Sequence, residues 1–280
     1  MRTIHYIARS LCLSLSLAGV APNASAQTTT TKIDPLPRDL EIQLALSALP
    51  RHLQDGATVY VLDPEKGFAV ARKGTNGFHA FVARTGEDTM RGAWPLTKYR
   101  DDILYPISFD AAGAKANMRV FFDIAEMQAK GTPAGELKRI IQERYKTNYY
   151  AAPERPGVSH MLSPILRTYV NPDESEMVAT TNNPHVMYYF PHVTNEAVGA
   201  ALPAPEELRY FAEHGRWRQS PGPFVILHGA HGYMVQMLGV TETATITREH
   251  EAMLGRLCKF KRSWCLPTPT IQEPPATRHP

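Results

Sequence analysis

Three side chains that could bind a ligand alternate along a strand-like segment of the sequence: His185, Met187 and Tyr189. Pro184 and Pro191 lack amide donors and therefore mark the two ends of the strand. Since side chains alternate between the faces of a strand, a second set lies on the opposite face: Val186, Tyr188 and Phe190. We expect the Phe190 face to pack on the main core and the His185 face to line a ligand-binding site on the other side of the sheet.

Histidines at four positions could together hold a metal ion: His185, His192, His228 and His231. His228 and His231 lie in a glycine-bracketed loop, and Met234 and Met237 follow closely. In an oxidising compartment, histidine with methionine suits copper, whereas histidine alone suits zinc. The spacing contains no His-Glu-x-x-His motif, so the default interpretation of each histidine is a satisfied core or surface residue.

Signals for a catalytic nucleophile are weak. Ser159 lies in a Gly-Val-Ser-His-Met run that lacks the second glycine of a nucleophile elbow. Ser159 and His160 are adjacent, so their side chains diverge in an extended chain and form no dyad. Gly74 and Gly77 have the spacing of a hairpin turn rather than of a phosphate-binding loop. The enzymatic alternative is a hydrolase that uses His185 with partners brought together by folding.

The elements that must position these residues indicate an α+β fold. Apolar periodicity predicts helices over 37–49, 110–131, 133–145 and 205–214. Short apolar runs separated by turn residues predict strands over 57–62, 68–72, 78–82, 186–190, 224–227 and 233–238. The first three strands are predicted to form an antiparallel meander. Strands at both ends with helices between them favour one antiparallel sheet with helices packed on it.

The N-terminus has the features of a secretory signal peptide. Arg2 and Arg9 precede an apolar run over 11–21, and Ala24-Ser25-Ala26 forms a small-x-small cleavage site. The run is shorter than the ~20 residues that a membrane-spanning helix needs, so we expect cleavage before Gln27 rather than anchoring. The mature protein would then be periplasmic or secreted, with no membrane span.

Composition predicts the domain boundaries and restricts the classes of possible partner. Residues 1–26 form the signal peptide, 27–36 a polar linker, 37–265 a single α+β domain, and 266–280 a proline-rich disordered tail. The formal net charge of +3 includes Arg2 and Arg9, so the mature chain is close to neutral. Near neutrality argues against nucleic acid as the partner and leaves a small molecule or a protein.

Cleavage of the signal peptide would remove Cys12 and leave two cysteines, Cys258 and Cys265. In an exported chain, two cysteines most simply form one disulfide. Metal-binding cysteine pairs usually have only about two to four residues between them, and this pair is farther apart. We therefore expect a bond between Cys258 and Cys265.

Three short motifs resemble one group of proteins: Asn76-Gly77-Phe78, Met161-Leu162-Ser163-Pro164 and Pro184-His185-Val186-Met187-Tyr188-Tyr189. The group consists of uncharacterised bacterial exported proteins with no assigned activity, and the resemblance covers most of the mature chain. It implies an exported single-domain protein and brings no cofactor or catalytic residue with it. The leading hypothesis is therefore an exported binding or interaction domain, ahead of the hydrolase and of the copper- or zinc-binding protein.

Overall fold

The computed structural model describes residues 33–85, 99–169 and 177–267. The predicted signal peptide, residues 27–32 of the predicted linker and the predicted tail from residue 268 lie outside the described residues. Within them, Ile33 and Leu36 are buried, and Leu266 packs on the hydrophobic core. The packed domain therefore extends beyond the predicted limits of 37 and 265 at both ends.

Helices separate the strands along much of the chain. The α-helices are α1 (Arg38–Leu46), α2 (Arg51–Gln54), α3 (Ala111–Gly113), α4 (Arg119–Ala129), α5 (Ala134–Lys146), α6 (Pro205–His214), α7 (Val240–Glu249) and α8 (Glu251–Phe260). A π-helical turn, Ala114–Met118, joins α3 to α4, and a 3-10 turn, Arg262–Trp264, follows α8. The helices expected from the sequence are present, whereas α2, α7 and α8 were not predicted. None of the helices in the described ranges is long and apolar enough to cross a membrane.

The described strands form three sheets rather than the single predicted sheet. The strands are β1 (Thr58–Asp63), β2 (Gly67–Arg72), β3 (His79–Ala83), β4 (Tyr105–Phe109), β5 (Gly157–Met161), β6 (Leu166–Tyr169), β7 (Val178–Thr181), β8 (His185–Tyr189), β9 (Phe224–Leu227) and β10 (Tyr233–Met237). The first sheet has the order β2-β1-β3-β4, the second has the order β5-β8-β10-β9, and β6 and β7 form a separate two-stranded sheet. Most neighbouring strands are antiparallel, so the α+β class is confirmed in this broader form.

The predicted antiparallel meander is wrong at β3. This strand pairs with β1 in parallel, on the side opposite β2. The connection from β2 therefore crosses the start of β1, where Gly74 N donates to Thr58 Oγ1 (3.0 Å). A Cβ at Gly74 would lie 2.2 Å from the Gly56 carbonyl oxygen, a distance that no side chain tolerates. The glycine that suggested a hairpin turn thus permits a close crossing instead.

Helices cover both faces of the first sheet, and alternate side chains of β3 pack in the two cores on either side. Ala80 and Val82 belong to the core that contains α1, α8 and Trp264. Phe81 belongs to the opposite core, with Phe121 of α4. These side chains are at most 5% exposed, so the first sheet is the middle layer of a closely packed sandwich.

Ser108 links the first sheet to the second where β4 runs beside β5. Its hydroxyl donates to the His160 carbonyl (2.9 Å) and accepts from the His160 amide (3.2 Å). Further along, the Asp110 amide donates to the Val158 carbonyl (3.0 Å). The second sheet is therefore held in a fixed position beside the first.

Candidate functional site

The strand β8 presents its two faces in the opposite sense to the prediction. The buried set is His185, Met187 and Tyr189, at 7%, 5% and 3% exposure. Tyr188 is 37% exposed, and Val186 and Phe190 are only partly buried. Alternation identifies which side chains share a face, but the neighbouring layers decide which face is covered. The expectation that the Phe190 face packs on the main core is therefore wrong.

A cavity of about 180 Å³ lies beside the buried face of β8. Its polar lining consists of Tyr105, Thr168, Tyr169, Thr181, Asn183, His185 and Tyr233. Its apolar lining consists of Leu166, Ala179, Met187, Phe211, Ile226, Val235 and Met237. Of the predicted binding residues, His185 and Met187 line the cavity. Tyr189 instead packs against Phe109 and Tyr233, with ring centroids 6.1 and 5.7 Å away.

Two pleated surfaces form the walls of this cavity. On the β6–β7 hairpin, Leu166 lies opposite Thr181 and Thr168 lies opposite Ala179, so these four side chains share one face. On the second sheet, His185 lies opposite Met237 and Met187 lies opposite Val235. The hairpin is tied to β4 by the backbone bridge between Leu104 and Arg167. Strand pairing thus fixes which side chains reach the cavity.

The imidazole of His185 is held at one nitrogen by the backbone. Its Nδ1 lies 2.8 Å from the Asn183 carbonyl, which can only accept, so Nδ1 carries the proton. In the neutral ring, Nε2 is then a hydrogen-bond acceptor. Asn183 is itself fixed, because its Oδ1 accepts from Trp217 Nε1 (2.9 Å) and Trp217 stacks on Phe211 at 4.6 Å. The ring at the cavity wall is therefore oriented before any ligand binds.

Two threonines of the hairpin differ in how their hydroxyls are satisfied. Thr181 Oγ1 donates to the Leu166 carbonyl at 3.4 Å. Thr168 Oγ1 is buried and has no hydrogen-bond partner within the described part of the chain. A buried hydroxyl without a partner costs roughly 1–3 kcal/mol. The oxygen has almost no accessible surface, so a molecule in the cavity does not reach this hydroxyl.

The described part of the cavity wall carries no fixed charge. Among the described residues that line it, none is an aspartate, glutamate, lysine or arginine. The titratable side chains in the wall are the imidazole and the phenols of Tyr105, Tyr169 and Tyr233. Phenols ordinarily have a pKa near 10 and carry no charge at neutral pH. The surroundings therefore favour neutral groups over ions.

With this geometry established, the chain was compared with known proteins. A scan against protein-family models, a search of curated proteins and a search of solved structures each found no match. The resemblance to bacterial exported proteins thus stays a prediction.

The strand register separates His185 from the other three histidines proposed for a metal site. His185 lies opposite Met237 at one end of the β8–β10 pair, and Tyr189 lies opposite Tyr233 at the other. Those two ends are about 13 Å apart, since a strand rises ~3.3 Å per residue. The other three histidines lie past the Tyr189 end: His192, His228 and His231. All four cannot reach one ion at the ~2 Å ligand distances of zinc.

The three distal histidines each contact a different neighbour. The His192 amide donates to the Gly229 carbonyl (2.7 Å), and His228 Nδ1 lies 3.3 Å from the Val193 carbonyl. The His231 ring meets Tyr145 edge-on, with centroids 5.4 Å apart. Burial lowers the pKa of His231. Over the described residues, no group of three or more histidine, cysteine or acidic side chains is placed to hold a metal ion.

The cysteines lie at bonding distance, as the prediction of a disulfide requires. Cys258 Sγ and Cys265 Sγ are 1.95 Å apart, and the Cα atoms are 4.4 Å apart. The bond closes a loop that carries Trp264, which is 1% exposed and donates to the Asp102 carbonyl at 3.0 Å. The disulfide therefore anchors the segment after α8 beside the first sheet, and the Ser263 carbonyl in the same loop accepts from Thr180 Oγ1 of β7 (2.6 Å).

Six polar residues of the cavity were missed by sequence reasoning: Tyr105, Thr168, Tyr169, Thr181, Asn183 and Tyr233. The two threonines belong to β6 and β7, strands of only four residues that were not predicted. Alternation of apolar or small residues with polar ones, as in Leu166-Arg167-Thr168-Tyr169, was the available signal. Such a short run says nothing about which other strand it will face.

Proposed function

We propose that the protein is an exported binding protein whose site is the cavity between the β6–β7 hairpin and the second sheet. The observation that carries the proposal is a preformed cavity of about 180 Å³ with an oriented imidazole in its wall. Apolar walls with a few placed polar groups are typical of small-molecule sites. Export is supported by the signal-peptide features of residues 1–26 and by the cysteine pair.

Binding is favoured over hydrolysis by what surrounds His185. A hydrolytic histidine activates a nucleophile or a water and is commonly oriented by a carboxylate. Here a backbone carbonyl orients the ring, and the described cavity wall offers threonine and tyrosine hydroxyls but no carboxylate. The imidazole and these hydroxyls can hydrogen-bond a ligand without catalysing a reaction.

The test is a fragment screen with a variant that fills the cavity. Ala179 lines the cavity, so Ala179→Phe places a ring in the space that a ligand would occupy. Ala69 is exposed on β2, and Ala69→Phe is the matched control. We expect fragments to shift the NMR signals of Met187 and Met237 in the wild type and in Ala69→Phe, but not in Ala179→Phe. Failure of every fragment, or equal binding to Ala179→Phe, would contradict the proposal.

A further inference from the structure

An imidazole and two thioethers lie together on the buried face of the second sheet. His185 lies opposite Met237 in the β8–β10 pair, and Met187 follows His185 on the same face of β8. All three side chains line the cavity, so an ion in the cavity can contact them. The four-histidine site fails because its members are too far apart, whereas these three side chains share one face of two paired strands.

The pairing of β8 with β10 brings His185 and Met237 close together. The Leu238 amide donates to the Pro184 carbonyl (3.0 Å), so these two residues form a hydrogen-bonded pair of the ladder. Hydrogen-bonded and non-hydrogen-bonded pairs alternate in antiparallel strands, so His185 and Met237 form a non-hydrogen-bonded pair, with Cα atoms about 4.5 Å apart. Met187 is diagonal to Met237 at about 7–8 Å, a separation that long side chains can span. Methionine has three rotatable bonds, so both thioethers can reach an ion beside the imidazole.

The His185 ring is oriented as a metal ligand requires. Its Nδ1 donates to the Asn183 carbonyl (2.8 Å), so the lone pair of the neutral ring is on Nε2. A histidine that binds a metal almost always donates its other ring N–H to a backbone carbonyl, a carboxylate or a water, which fixes the tautomer and the ring orientation. The hydrogen bond that orients a metal-binding imidazole is therefore already formed.

The described wall restricts the kind of metal ion. It contains no carboxylate, so hard ions such as Ca²⁺ and Mg²⁺ find no anionic oxygen ligand there. Thioether sulfur is a soft ligand that favours Cu(I), and imidazole also binds copper. An uncharged wall disfavours an ion that depends on an opposite charge, whereas sulfur and nitrogen lone pairs bind a soft ion directly. The donor set therefore suits a soft monovalent ion.

We propose that His185 Nε2, Met187 Sδ and Met237 Sδ together bind one Cu(I) ion at the wall of the cavity. The site goes beyond the proposed small-molecule function, because it uses three side chains of the second sheet and none of the β6–β7 hairpin. Zinc is a poor alternative, since zinc in proteins is held by cysteine, histidine and carboxylate ligands rather than by thioethers.

Titration of the oxidised mature protein with Ag⁺, Cu⁺ and Zn²⁺ tests the site. Ag⁺ is the main probe because it is monovalent, prefers sulfur ligands and is stable in air. We expect one Ag⁺ per chain, with shifts in the NMR methyl signals of Met187 and Met237 and in the ring signals of His185. Cu⁺ added under nitrogen should shift the same signals. Met253 is buried in the core that contains α1 and α8, and its methyl signal should not move. Failure of either monovalent ion to bind, or Zn²⁺ binding as tightly as Ag⁺, would overturn the proposal.

Leucine variants locate the ligands, because Met→Leu removes the sulfur, nearly conserves volume and is well tolerated in cores. Met187→Leu and Met237→Leu should each lower Ag⁺ affinity at least about tenfold, since even groups that only orient a ligand contribute about 10–100-fold to metal affinity. Met161→Leu is the matched control. Met161 lies opposite His185 on β5 and is 3% exposed, but it is not among the residues that line the cavity. Its variant should bind Ag⁺ as the wild type does. An equal loss in Met161→Leu, or no loss in the other two variants, would overturn the assignment of the ligands.

The metal titration and the fragment screen have separate outcomes. Ag⁺ binding at Met187 and Met237 without any fragment binding would support the metal site and contradict the small-molecule function. Fragment binding without Ag⁺ binding would overturn the metal site and leave the small-molecule function standing.

Discussion

Around the first sheet, side chains fill the space between the layers, whereas between the second sheet and the β6–β7 hairpin they leave a cavity. Phe81, Leu44 and Val59 of the first region have no solvent exposure, and Phe81 contacts four other phenylalanine rings. In the second region, His185 and Met187 are buried yet border empty space. The difference indicates that most of the stability comes from the first region, whereas the second contains the proposed binding site.

The largest expected effect comes from emptying the packed region. Phe81→Ala removes the central ring of the aromatic cluster and should lower the free energy of unfolding by roughly 3–5 kcal/mol. Phe190→Ala is the matched control in the second region, where the ring is only partly buried. It should cost less than about 1.5 kcal/mol. Urea unfolding measures the stability of both variants. A larger loss for Phe190→Ala than for Phe81→Ala would contradict the conclusion that the first region contributes most of the stability.

A buried carboxyl makes the packed region sensitive to pH. Glu41 is 2% exposed, its Oε1 accepts from the Leu62 amide at 2.8 Å, and burial raises its pKa to about 7. Between pH 4.5 and about 7 the folded protein therefore binds more protons at this site than the unfolded chain. The resulting stabilisation is fully present below pH 4.5 and is lost as pH rises through about 7.

Glu41→Gln tests this effect because the amide keeps an acceptor for Leu62 and cannot ionise. Relative to wild type, the variant should gain stability between pH 5 and pH 8, by roughly 3 kcal/mol at most, since one pKa unit corresponds to about 1.4 kcal/mol. Using the difference from wild type removes the contributions of the buried histidines, which titrate in both proteins. Glu136→Gln, at an exposed position on α5, is the control and should show no such gain. A flat difference for Glu41→Gln would mean that the carboxyl is ionised in the fold throughout this range.

The disulfide should have a smaller effect, confined to the end of the packed region. Closing a short loop between Cys258 and Cys265 stabilises the fold by about 2.5 kcal/mol in the chain-entropy account. Replacing both cysteines by serine should lower the free energy of unfolding by about that amount. Thiol labelling of the unreduced, denatured protein should detect no free thiol in the mature chain, and two free thiols would contradict the bond.

Local features of the sequence predicted most of the elements, and non-local packing accounts for the errors. The strands near 58, 67, 79, 185, 224 and 233 follow from short apolar runs, and α6 ends at Gly215 with φ 66°, a conformation that glycine adopts readily. The cysteine pair is local as well. By contrast, the parallel pairing of β1 with β3 depends on which side of β1 the chain passes, which a turn sequence does not encode.

The same contrast between local sequence features and non-local packing applies to the candidate site. The sequence grouped His185 with Met187 correctly because alternation along one strand is local. It placed their face wrongly, since the Phe109 and Trp217 layers that bury it come from distant parts of the chain. Thr168 and Thr181 were missed because a cavity is formed by two strands facing each other, and neither strand contains that information alone.

The smallest stability effect is expected from removing one hydroxyl group in each of the two regions. Ser108, in the packed region, donates to the His160 carbonyl and accepts from its amide. Ser108→Ala leaves both groups without that partner and should cost roughly 1–3 kcal/mol. Thr168 Oγ1 has no partner within the described residues, so Thr168→Val removes no hydrogen bond among them. It should be neutral or stabilising by up to about 1 kcal/mol, because a buried hydroxyl is replaced by a methyl of similar shape. Urea unfolding decides: a loss above about 1 kcal/mol in Thr168→Val would show that this hydroxyl supports the fold.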